Sequence, residues 1–167
     1  MRKSREFFVC QQGFPVPQSN PHLYSALMLQ PRIIGILVVF GSILHSSELF
    51  FLLSGVLAWG TLVPTHNLFD AIYNYTVAFP LGFPPLETAP APRRFAQGAA
   101  AMMAVATGLA LVIEAPAIAW ILEGVFIIAV ASAVVRRFCL PAHLYHVLRQ
   151  RFAPTSSASG ARASQPC

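Results

Sequence analysis

Four apolar runs in two close pairs dominate the chain: residues 27–45 and 48–64, then 95–113 and 117–135. Within each pair only a few polar or turn residues intervene, His45 to Glu48 in the first and Glu114 to Pro116 in the second. Connections this short send the chain straight back, which predicts two antiparallel helical hairpins. Each arm of the second pair holds nineteen residues and spans about 28 Å, close to the ~30 Å of a hydrocarbon core. The first pair is shorter. Its continuous apolar stretch, Ile33 to Leu44, covers only about 18 Å, so Leu27 to Leu29 and the tip residues must contribute.

Between the runs the pattern changes character. Residues 1–19 carry Gly13, Pro15 and Pro17 without apolar periodicity and read as an irregular arm. Asn20 and Pro21 look like an N-cap with proline at the first helical position, opening a membrane domain over residues 20–152. Pro31 should kink the first helix. After Pro64, Thr65 can cap an amphipathic helix whose Leu68, Ile72, Tyr75 and Phe79 share one face, as an in-plane interfacial helix requires. A linker over residues 80–94 contains five prolines and is too poor in hydrogen bonds to sit in lipid. A second amphipathic stretch follows Arg136 and Arg137 and runs to Phe152, and the Ser- and Ala-rich residues 153–167 are expected to be disordered. The fold class is therefore an all-α membrane protein with four transmembrane helices as two antiparallel hairpins, each followed by an amphipathic cytoplasmic helix.

Composition agrees with that reading, and charge orients it. The chain is 56% hydrophobic and only 10% charged, with a mean hydropathy of +0.61, where ordinary soluble domains carry about a quarter charged residues. All eleven Lys and Arg fall before, between or after the hairpins, from Arg2, Lys3, Arg5 and Arg32 through Arg93 and Arg94 to Arg136, Arg137, Arg149, Arg151 and Arg162. The positive-inside rule then puts both termini and the central linker in the cytoplasm of a bacterial inner membrane. The net charge of +5 flanks apolar segments, so anionic lipid headgroups are the expected partner and nucleic acid is excluded. Arg2 to Arg5 precede too short an apolar stretch for a cleaved signal, so the first hairpin should be its own insertion signal. Cys10, Cys139 and Cys167 are too few and too scattered for a disulfide framework and are expected to stay reduced.

A weak internal repeat is visible: Pro31-Arg32 and Pro92-Arg93 precede the two hairpins, and Pro64-Thr65-His66 and Pro141-Ala142-His143 follow them. Pro92-Arg93-Arg94-Phe95-Ala96-Gln97-Gly98 at the third span, Phe138-Cys139-Leu140 after the fourth, and the hairpin, linker, hairpin layout carry a further resemblance. Over about residues 30–150 the chain resembles the bacterial membrane family designated domain of unknown function 4395. The resemblance implies four spans and no particular reaction. Members of that family often carry Cys-x-x-Cys after the fourth span; here Cys139 is followed by Ala142 at the second position, which removes the basis for a dithiol role.

Candidate chemistry is sparse. Glu123 lies roughly 11 Å into the apolar layer, where a carboxylate is expensive, and Ser54 and Thr107 fall at nearly the same depth. The three can form a hydrogen-bonded cluster that serves either as polar glue between helices or as a proton or ion path through Glu123. Cys139, His143 and His146 are spaced for one helix face and, with His66, offer ligands suited to zinc or copper; no other cofactor is implied. Pro141 can instead place Cys139 at an N-cap, where the helix dipole with Arg136 and Arg137 would lower its thiol pKa and make it reactive. Ala100, Ala104 and Gly108 form a small-residue ladder on the third span, and Ala129 with Ala133 on the fourth, suited to close packing within the chain or to a homo-oligomer face. Asp70 and Glu87 have no partner at useful spacing, and no catalytic triad, phosphate loop or carboxylate pair is present. The leading expectation is a non-enzymatic accessory or scaffold subunit holding a protein partner at the cytoplasmic face. The alternatives are a small oligomeric transporter or channel using Glu123, and a membrane thiol or metal site around Cys139.

Overall fold

A computed structural model describes residues 2–15 and 22–152 of the chain. Among these every regular element is helical: α1 (Arg2–Gln11), α2 (Leu23–Leu44), α3 (Ser47–Leu62), α4 (Leu68–Tyr73), α5 (Phe79–Leu81), α6 (Ala91–Val112), α7 (Pro116–Val135) and α8 (Leu140–Phe152). A 3-10 turn at Pro64–His66 precedes α4, and a π-helical segment at Asn74–Ala78 links α4 to α5. Helices α2, α6 and α7 hold 22, 22 and 20 residues and are long and apolar enough to cross a membrane. Helix α3 is equally apolar but has 16 residues, about 24 Å.

Both chain reversals between long helices use one device. At the end of α2, His45 takes the left-handed conformation (φ 47°), its N–H donating to Ser42 O at 3.3 Å while Ser46 N–H donates to Gly41 O at 3.1 Å. At the end of α6, Glu114 does the same (φ 53°), donating to Leu111 O at 3.2 Å while Ala115 donates to Ala110 O at 3.0 Å. This paired pattern is the Schellman motif, which satisfies carbonyls the helix end would otherwise leave bare and turns the chain within two or three residues. The next helix is then started by a suitable residue. Ser46 Oγ accepts from Leu49 N–H at 3.3 Å to cap α3, and Pro116, which has no N–H to leave unpaired, opens α7.

The four long helices form a ring in the order α2, α3, α6, α7, with α3 against α6 the most extensive contact. Ile34, Val38, Phe50, Leu57, Ala104 and Phe126 fill its centre. Glycines decide where the side chains of a neighbouring helix can seat. A Cβ on Gly108 would lie 3.0 Å from the Phe51 ring, and one on Gly98 would lie 3.4 Å from Thr61 Cγ2, so α6 lies close along α3. A Cβ on Gly35 would lie 3.0 Å from Val130 Cγ1, which brings α2 close to α7. Of the ladder on α6, Ala104 is fully buried and Gly108 meets the Phe51 ring, while Ala100 is only partly buried. The outward faces remain apolar, with Ile36, Ile43, Leu52, Met102, Ile121 and Ile128 all about two-thirds exposed. A continuous apolar coat of this kind marks a surface that meets lipid or another protein.

Several expectations change at the basal end, opposite the two reversals. Residues 2–11 are helical and not irregular: Phe8, Val9 and Phe14 bury against Leu27 and Met28 of α2. Gly13 (φ 90°) lets this arm lie against Pro90 and Pro92, where a Cβ would come within 2.9 Å. The cap of α4 is Asn67, whose Oδ1 accepts from Phe69 N–H at 3.1 Å, and not Thr65. Leu68, Ile72, Tyr75 and Phe79 are all exposed, but the expected single amphipathic helix is broken, because Asn74–Ala78 is π-helical. The extended linker covers only residues 82–90, because Pro92, Arg93 and Arg94 already belong to α6. The expected repeat loses its register here: Pro31 lies inside α2 with Arg32 exposed, whereas Pro92 lies in the first turn of α6 with Arg93 buried. Among the described residues Cys139 is a free thiol. The N-cap at Asn20 and Pro21 and the tail over residues 153–167 lie outside the described residues.

The α3–α6 seam gives a stability prediction. Gly108→Leu should drive a side chain into the Phe51 ring and destabilise the folded protein by about 1–3 kcal/mol, read as a lower unfolding midpoint in mild detergent. Gly55→Ala, with nothing within 4 Å of its added Cβ, should leave the midpoint unchanged or raise it.

Candidate functional site

Arg93 is the organising side chain of the basal end. It is 3% exposed, its Nη1 donates to Asp70 Oδ2 at 3.1 Å, and its Nη2 donates both to Asp70 Oδ1 and to Gln30 Oε1, the latter at 2.9 Å. Helix α6 is thereby joined to α4 and to α2 by one guanidinium. A planar fork matched to a carboxylate in two parallel bonds is the geometry that makes a buried arginine tolerable. The expectation that Asp70 lacks a partner is corrected: the partner is 23 residues away in sequence, beyond any helical spacing. The neighbouring Arg94 donates its Nε–H to Thr61 O at 2.9 Å and fastens the end of α3 to α6.

Above this cluster lies a cavity of about 230 Å³ between α2, α6 and α7, closed below by Phe8, Gln12 and the start of α8. Its upper wall is apolar, with Ile34, Met103, Phe126 and Val130. Its basal wall is polar, with Gln12, Gln30, Arg93, Gln97 and Cys139. Gln97 lies one turn beyond Arg93 on the same helix, is 2% exposed, and neither its Oε1 nor its Nε2 has a hydrogen-bond partner. Each unpaired buried atom of this kind costs roughly 1–3 kcal/mol. Ala96, Ala100, Ala129 and Ala133 also line the space, so the small residues of α7 leave room for a cavity where close helix packing was expected. Because Val125 and Leu140 in its wall are about half exposed, the cavity reaches the outer apolar surface.

The groups singled out by sequence are distributed differently. Glu123, Ser54 and Thr107 are all buried in the bundle, with Glu123 6% exposed. Thr107 Oγ–H donates to Met103 O of its own helix at 2.9 Å, Glu123 Oε1 is unpartnered, and α3 and α7 stand across the ring, so the expected hydrogen-bonded cluster is not formed. Cys139 is the N-cap residue of α8, its C=O accepting from His143 N–H at 3.0 Å. Gln11 ties this corner together: its Oε1 accepts from Cys139 N–H at 2.9 Å and its carbonyl lies 3.1 Å from His146 Nε2. His143 stacks at a tilt on Phe138, and His66 pairs with Thr65. Among the described residues no three His, Cys, Asp or Glu side chains converge as metal ligands, so Cys139, His143, His146 and His66 do not make the expected metal set. Burial pushes the Cys139 thiol up, against smaller opposing contributions from the Ala142 backbone and the Gln12 side chain, which corrects the expected lowering by the helix dipole.

Sequence reasoning missed Gln11, Gln12, Gln30, Asp70, Arg93 and Gln97. One signal was available: the buried stripe of Gly108, Ala104, Ala101 and Gln97 on α6, continued back by one turn, arrives at Arg93.

Two measurements follow from this geometry. Asp70→Ala should strand a buried guanidinium and destabilise by about 3–5 kcal/mol, while the double change Asp70→Leu with Arg93→Met should recover most of the loss in detergent unfolding. For Cys139, a raised folded pKa means the thiol stays protonated through the ordinary titration range near 8.5. Peptide-resolved alkylation should therefore rise at higher pH in the folded protein than after denaturation, and a midpoint at or below the denatured one would contradict the burial argument.

No curated protein and no solved structure matches the chain. Residues 26–150 match the family described as a domain of unknown function (DUF4395). The match takes in the long helices, Arg93, Asp70, Gln97 and Cys139, and stops within α8; over this stretch the chain belongs to that family.

Proposed function

We propose that the protein is a four-span, multi-pass protein of a bacterial inner membrane, with α2, α3, α6 and α7 as two antiparallel hairpins and the basal end in the cytoplasm. The basal segments carry the Lys and Arg residues, and the two reversals carry none, which supports this orientation. Within that frame it is a non-enzymatic accessory or scaffold subunit that presents its basal surface to a protein partner. The observation that carries the reading is the clasp between distant segments of the chain at that surface. Gln11 of α1 joins Cys139 and His146, Arg137 Nη1 donates to Ser4 Oγ at 2.7 Å, and Arg5 and Arg137 both lie over the Tyr24 ring at 5.2 and 5.7 Å. A surface assembled in advance loses little conformational freedom when a partner docks.

Single-cysteine variants at Ser46 and at Ala115 should label from the periplasmic side of intact spheroplasts, and one at Arg149 only after the membrane is opened. Purification in mild detergent from the native membrane should bring down a partner in stoichiometric amount, and Gln11→Ala should reduce its recovery. Correct topology with the protein consistently alone would end the scaffold reading and leave the membrane architecture standing.

A further inference from the structure

The cavity between α2, α6 and α7 is amphipathic, and its polar end is unfinished. Arg93 faces it but is already matched by Asp70, so the wall offers no net positive charge to an anion. Gln97 offers one acceptor and two donors, buried and unanswered by any protein group. A group that both donates and accepts, such as a hydroxyl or a primary amide, would complete it. Beyond the basal wall of Gln12, Gln30, Arg93, Gln97 and Cys139 the space is lined by Ile34, Met103, Phe126 and Val130, and that apolar part is closed to a charged group by the cost of desolvation. At about 230 Å³ it exceeds the ~150 Å³ apolar cavity known to admit benzene, which suits a head and one short chain. Exposed Val125 and Leu140 in its wall provide the opening from the apolar outer surface.

We propose that this cavity binds an uncharged single-chain amphiphile, its hydroxyl or amide head paired with the Gln97 side chain and its chain lying between α6 and α7 against Met103, Phe126 and Val130. Gln97 is the recognition residue, and the alanines at 100, 129 and 133 set the width of the slot. The site is independent of the scaffold reading, since it needs no protein partner.

The test uses the full chain in lipid nanodiscs with radiolabelled decanamide, measured against empty nanodiscs to subtract partitioning. Saturable binding is expected, and decanoate and decylamine at neutral pH should bind at least about tenfold more weakly. Gln97→Leu should weaken decanamide binding by about tenfold, the factor equivalent to one hydrogen bond of about 1.4 kcal/mol. Ala129→Phe, which fills the slot from α7 and leaves Gln97 in place, should abolish binding, so the proposal stays testable if the Gln97 variant does not fold. No saturable decanamide binding, equal binding of decanoate, or undiminished binding to both variants would each overturn it, the first leaving the cavity to water.

Discussion

The guanidinium of Arg93 is the constraint on which the basal half of the molecule depends. Lipid-facing helices gain little from the hydrophobic effect when they associate, because their outer surfaces are as content with lipid as with each other. Shape complementarity and polar contacts must therefore fix relative position. Arg93 does this for three elements at once, taking the carboxylate of Asp70 from α4 and the amide of Gln30 from α2. The arrangement is demanding, since removing any one group strands the others in a dry interior. It also explains why α4 folds under the bundle: its buried face carries Asp70 between Phe69 and Tyr73, and only a base that closes over Arg93 can bury all three.

Small residues serve two opposite ends in this bundle. On the α3 side of α6, Gly98 and Gly108 make room for the side chains of Thr61 and Phe51. On the α7 side, alanines at 96, 100, 129 and 133 meet other alanines and leave space. The difference lies in what stands opposite. A large ring fills the gap that a glycine leaves, whereas two short side chains facing each other fill nothing. A composition rule that equates small residues with tight packing holds only where the partner helix supplies bulk.

Much of the architecture was legible because it is written in local periodicity. The long apolar helices, the positions of both reversals and the family itself all follow from runs, short polar interruptions and a motif around Arg93 and Gln97. What escaped was pairing at a distance. Helix α1 is short and polar on average, and it is held by Phe8 and Val9 against α2, a contact that no local window contains. Asp70 was expected to lack a partner because its interaction with Arg93 spans 23 residues and joins two separate helices. Cys139 was expected to be activated by helix position and nearby cations, but the dominant influence is the protein packed over it, which depends on α1. Glu123 shows the converse: its place in the bundle interior was readable, but partners were not, since Thr107 is satisfied by its own helix.

The length of α3 bears on the surroundings of the protein as much as on its interior. Three of the ring helices reach about 30–33 Å, and α3 reaches about 24 Å before Val63 and the 3-10 turn divert the chain. Trp59 stands at that early end, where its indole N–H donates to His66 O at 3.2 Å and ties the end of α3 to the turn that follows it. The apolar coat is therefore narrower along the flank that α3 forms than around the other three helices of the ring.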